Sequence, residues 1–141
     1  MIQRSGGAKT AVVYSAWSLL GEGIGVLESE ALARRVVEIA EDRQASDIAL
    51  LDIRPISILA DFFVICSAGS ERQIKAVTEA IQRTIQEEAA TRPLHVEGTT
   101  DSGWVLLDYG SVIVHVFSPA QREYYRLEEL WSQGVPVVHI L

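Results

Sequence analysis

The chain has few basic residues: twelve Lys+Arg stand against nineteen Asp+Glu, for a formal charge of −7. A protein that grips nucleic acid by its phosphates needs a basic face to displace counterions. The nearest approaches to one are Arg34-Arg35 and Arg72 with Lys75, and acids flank both. Little direct RNA contact is expected; a protein surface is the better partner. Cysteine is nearly absent. The lone Cys66 excludes an intramolecular disulfide and fits a reducing compartment. Inside Phe62-Phe63-Val64-Ile65-Cys66 it reads as a small core residue. No apolar run reaches the ~18 residues that cross a bilayer, so a soluble chain with no membrane contact is expected. His95, His115 and His139 lie far apart with no Cys or His at ligand spacing, so neither a metal nor a cofactor is expected.

What is present suits one folded domain: 141 residues, 48% of them hydrophobic and 22% charged. Residues 1–28 stand apart. Gly6, Gly7, Gly21, Gly23 and Gly25 make up half of the ten glycines and no clean period appears. This reads as a mobile or loosely packed extension, with a short helix over Val12 to Leu20. Arg4 and Lys9 precede the first acid, Glu22, as in a transit peptide, but two basic residues are few and no cleavage signal accompanies them. A cytoplasmic protein is expected, with organellar targeting as the alternative.

The body spans residues 29–132. Ser29 is the expected N-cap of a helix to about Arg43, with Leu32, Val36, Ile39 and Ala33, Val37, Ala40 as its buried columns. Ile48 to Ile53 reads as a strand stopped by Pro55. Phe62 to Ser67 is continuously apolar, as in a strand covered on both faces. Ser70 with Gln73 fits a capping box opening a second helix, buried through Ile74, Val77, Ile81 and Ile85. Leu94 to Val96 is a short strand. Trp104 to Asp108 and Val112 to Phe117 form a hairpin around Tyr109-Gly110. Ser118-Pro119-Ala120-Gln121 then starts a helix expected to run through Trp131. The order implies an α/β (mixed α+β) domain with a mixed sheet of about five strands flanked by helices. Residues 133–141 are left as a C-terminal tail without a role.

Gly69-Ser70, between a buried strand and a helix, is the one catalytic-looking feature, because such a turn can present N–H groups to phosphates. Phosphoryl chemistry with two metals also needs paired carboxylates on a neighbouring strand. Downstream of Ser70 there is no Asp-x-Asp, Asp-x-Glu or Glu-x-Glu. The turn is therefore read as a helix start and the chain as no enzyme, with a nucleotidyltransferase-like or nucleotide-binding protein as the alternative. Ser67 and Ser70 lack a nucleophile elbow. Asp61 reads as a turn cap at a strand entrance. Alternation places His115 with Ile113 and Phe117, as a hydrogen-bonded structural histidine. In Gly103 to Gly110, alternation puts Trp104, Leu106 and Asp108 on one face and Val105, Leu107 and Tyr109 on the other. Aromatics on opposite faces near a hairpin end imply that one of them meets solvent or a partner, and Tyr109, at the turn, is the one expected to be exposed.

These segments together resemble the ribosomal silencing factor (Iojap-like) family. The resemblance is carried by Leu51-Asp52-Ile53-Arg54, Ala60 to Ile65, Gly69 to Ala76, Glu97-Gly98, Gly103 to Gly110, Val112 to Phe117, and Arg122 to Tyr125 with Leu127 to Trp131. They stand in unbroken order across about 29–132; any one is weak, the series is specific. Where family members often carry Thr-Ser, Ala68-Gly69-Ser70 keeps only the small-residue character. The resemblance implies a nucleotidyltransferase-like fold without catalytic carboxylates, and a translational repressor. It further implies binding to a large-subunit ribosomal protein on the intersubunit face, blocking subunit joining, and a homodimer when free. By position, the partner-binding residues it implies are Trp104, Leu107, Asp108, Tyr109, His115 and Arg122.

Overall fold

A computed structural model describes residues 28–130 and 132–141. The extension, its expected helix over Val12 to Leu20, and Trp131 lie outside the described residues. Helix α1 (Ser29–Asp42) leads into β1 (Ser46–Asp52) and β2 (Phe62–Ser67), followed by α2 (Glu71–Ala89). Strand β3 (His95–Thr99), a single 3-10 turn (Thr100–Ser102), β4 (Trp104–Asp108) and β5 (Val112–Phe117) come next. The chain closes with α3 (Pro119–Tyr125), α4 (Leu127–Leu130) and β6 (Val135–Ile140). The domain is mixed α+β, with one six-stranded sheet in the order β3-β4-β5-β2-β1-β6. Among the described residues only the central β2–β5 pair is parallel.

The apolar stripes dictate which face is filled. Helices α1 and α2 lay Leu32, Val36, Val37, Ile74, Val77 and Ile81 onto one side of the sheet. There they meet Ile48, Leu50, Phe62, Val64, Val114 and Val116, all fully buried. Cys66 belongs to this core, and burial pushes its thiol up to about 12, leaving it unreactive. The other side is covered only in part. Leu51, Ile53, Phe63, Ile65 and Phe117 gather beneath the loop after β1 and the start of α4, with Trp104 and Ile113 half-buried at the margin.

Four boundaries depart from the sequence reading. The residues 133–141 supply a sixth strand: β6 pairs antiparallel with β1, and Pro136 is tolerated because β6 is an edge strand with an irregular register opposite Leu51. Glu28, not Ser29, is the N-cap of α1, and it makes no side-chain cap hydrogen bond. The last helix does not run through to 131 but breaks at Arg126, which turns left-handed (φ 49°) between α3 and α4. The short strand expected at Leu94 lies at His95–Thr99, with Leu94 N–H instead donating to the Asp108 carbonyl.

Candidate docking face

Residue alternation and strand register bring one set of side chains onto the thinly covered face. Thr99 pairs with Trp104, Glu97 with Leu106 and His95 with Asp108. Across the next ladder Trp104 meets Phe117, Leu106 meets His115 and Asp108 meets Ile113. Gly98 permits this arrangement: at φ +80° a Cβ would lie 2.0 Å from the Trp104 carbonyl oxygen. An aromatic cluster results. The Trp104 ring stacks on Phe117 at 5.0 Å and lies 4.5 Å from Tyr125, while Phe63 meets the His115 ring edge-on at 5.1 Å. Trp104, Leu106, Asp108 and Ile113 remain half-exposed, and Tyr125 is 44% exposed. At the other end of the strands, where β2 begins at Phe62, the loop between β1 and β2 holds Ile58 and Leu59 at 102% and 83% exposure. The half-open aromatic cluster on this thinly covered sheet face is a candidate contact surface.

His115 is buried within the cluster. The Trp104 indole Nε1–H donates to its Nδ1 at 3.2 Å, so the proton of the neutral ring resides on Nε2, which has no partner among the described residues. Burial lowers its pKa from 6.5 to about 4. As pH falls through that interval, the unfolded chain takes up a proton that the folded chain refuses. Stability is therefore intact above about pH 6.5 and declines toward about pH 4, by at most ~1.4 kcal/mol per pH unit. Thermal melts at about pH 7 and about pH 5 should show this loss, and His115→Gln should reduce it. An equal pH dependence in the variant would assign it to other groups.

The other expected contact residues have different places. Leu107 is fully buried and Tyr109 is 8% exposed; both face the α1–α2 side and belong to the core. The expectation of an exposed Tyr109 is thus corrected: the alternation of β4 continues through Asp108, and Tyr109 N–H donates to the Val112 carbonyl, which closes the hairpin with the ring turned inward. Its hydroxyl is buried without a partner among the described residues, and burial raises the phenol to about 12. Of Trp104 and Tyr109, it is Trp104 that reaches the surface. Asp108 accepts from Gly110 N–H at 2.7 Å, fixing the turn. Arg122 is 7% exposed, so it offers the surface almost nothing. Its guanidinium donates to the Asp47 carbonyl and to Ser67 Oγ (3.0 Å), and lies 3.6 Å from the Asp47 carboxylate. His139 of β6 meets the same carboxylate at 2.6 Å. Arg122 therefore ties α3 to β1 and β2, and the Asp47 carboxylate carries the link on to β6. Leu106 and Tyr125 join this face from outside the expected contact set; Leu106 was signalled by its alternation with Trp104.

The Gly69-Ser70 turn is occupied by its own helix. Ser70 Oγ accepts from Gln73 N–H (3.1 Å), and Gln73 Oε1 accepts from Gly69 N–H (2.6 Å). A phosphate would have to displace both bonds. Among the described residues no three of His, Cys, Asp and Glu gather as metal ligands, and no helix is long and apolar enough to cross a membrane.

A family model described as "Ribosomal silencing factor during starvation" matches residues 26–140. The chain belongs to that family. The match takes in β6, so the sixth strand lies within the family domain. The ribosomal silencing factor RsfS of Bacillus subtilis is 37% identical over 77% of this chain and 91% of its own length. That of Halalkalibacterium halodurans is 35% identical over 79% and 94%. A crystal structure of a Chromobacterium violaceum protein superposes with a TM-score of 0.70 at 34% identity, covering 75% of this chain and 88% of that one.

Proposed function

We propose that this silencing-factor domain represses translation by docking on a large-subunit ribosomal protein at the intersubunit face, where its bulk blocks the small subunit. The observation that carries this reading is the half-open sheet face around Trp104, Leu106 and Tyr125. Such a face suits a protein partner, because aromatic and aliphatic anchors gain from burial against protein and not from phosphates. The −7 charge points the same way. Of the residues implied by resemblance, Trp104 would touch the partner and Asp108 would border it. Leu107, Tyr109, His115 and Arg122 would support the face from behind. The mechanism is occlusion and involves no chemical step, metal or cofactor; the free protein is a homodimer and its compartment the cytoplasm.

Sedimentation of lysate through sucrose tests this directly. The protein should travel with free large subunits and be depleted from joined ribosomes and small subunits. Equal recovery in joined ribosomes would refute occlusion. The rival, nucleotide chemistry at Gly69-Ser70, would be favoured by nucleoside triphosphate turnover that Ser70→Ala abolishes.

A further inference from the structure

Beside Trp104 a cavity of ≈ 240 Å³ opens between β3, β4 and α3. Trp104 and Tyr125 form its aromatic walls, with ring centroids 4.5 Å apart and planes inclined at 47°. Leu106 and Gln121 add to the lining, and Glu97 supplies a carboxylate. The register places Glu97 opposite Leu106, on the same face as the aromatic cluster. Glu97 is exposed and enters no ion pair among the described residues, whereas Glu30, Glu38 and Glu88 are each bridged to an arginine.

We propose that this cavity receives a cationic side chain, an arginine or lysine, of the protein on which the domain docks. The inference rests on the docking reading above and names the chemistry of one contact within it. Ring faces present negative quadrupole to a cation, and a carboxylate at the same mouth adds a full opposite charge. An aliphatic side chain would satisfy the rings but leave Glu97 beside apolar atoms and partly desolvated. An acidic side chain or an RNA phosphate would be repelled by Glu97. The net charge of −7 draws a basic partner toward the surface at long range.

Purified bacterial large ribosomal subunits serve as the probe, with binding measured at low and at moderate salt. Glu97→Gln should weaken binding about threefold to tenfold and flatten its salt dependence, and Glu97→Lys should weaken it further, by repulsion. Both should melt like wild type, because the side chain is exposed on an edge strand. Leu106→Asp, on the same face but uncharged in the native chain, reports on docking itself. If both Glu97 variants bind like wild type while Leu106→Asp fails, the cation site is wrong and the docking face stands. If Leu106→Asp, folded by its melting curve, also binds like wild type, the docking reading falls and this inference with it.

Discussion

Replacing Tyr109 by alanine is expected to cost about 3–5 kcal/mol of folding stability, the range for removing a large aromatic side chain from a core. Its ring packs on the α1–α2 side of the sheet, in the same cluster as Leu107, Val112 and Val114. The surrounding sheet and helices cannot collapse fully onto the space it leaves. Tyr109→Phe separates the ring from its hydroxyl. The hydroxyl is buried without a partner among the described residues, so its removal should leave stability unchanged or raise it by about 1 kcal/mol. Urea unfolding of the two variants decides the matter. A Tyr109→Ala midpoint close to wild type would place the ring in solvent and return it to the list of contact residues. Any loss of ribosome binding by this variant would follow from unfolding, which makes Trp104 and Leu106 the better positions for testing contact.

Arg122→Ala should be nearly as damaging, at about 3 kcal/mol, because it removes one buried guanidinium that holds three parts of the chain at once. Ser67 Oγ would lose its donor, the Asp47 carbonyl its partner, and α3 its link to β1 and β2. Asp47 sits in the left-handed region at φ 50°, where the register of β1 shifts between Ser46 and Ala49. The guanidinium donates to the carbonyl of that irregular backbone and helps to hold it in place. Arg122→Lys keeps the charge but cannot reach carbonyl, hydroxyl and carboxylate together, so it should recover less than half of the loss. Guanidinium chloride denaturation of the pair measures both values. A loss below about 1 kcal/mol for Arg122→Ala would contradict the role of a structural tie.

Much of the fold was legible because local signals agreed with tertiary ones. The buried columns of α1 and α2 were readable at three- and four-residue spacing, and the continuous apolar run Phe62 to Ser67 and the hairpin strand Val112 to Phe117 are the two central, parallel strands. Ser70 caps α2 as its sequence suggested. Strand β6 was missed because Pro136 argues against a strand, and only its place at the sheet edge makes the proline harmless. The break at Arg126 carries no glycine or proline to announce it.

The candidate site was legible in half. Alternation correctly divided Trp104 and Leu106 from Leu107 and Tyr109, but the hairpin position of Tyr109 suggested exposure and the wrong aromatic was turned outward. The side on which the helices lie is decided by contacts distant in sequence, and the alternation itself is symmetric between the faces. Arg122 was named on resemblance alone. Its partners Ser67 and Asp47 lie 55 and 75 residues away, beyond any local pattern. Tyr125 enters the face because α3 is anchored there by Arg122 and Ser118, which places its ring on Trp104.

Association of purified ribosomal subunits, followed by light scattering with the protein added in increasing amounts, tests the central claim most directly. Wild type should lower the fraction of joined ribosomes toward saturation, and folded Leu106→Asp should not. An unchanged joined fraction with wild type would contradict silencing by occlusion. Equal inhibition by Leu106→Asp would contradict docking through the Trp104–Leu106 face.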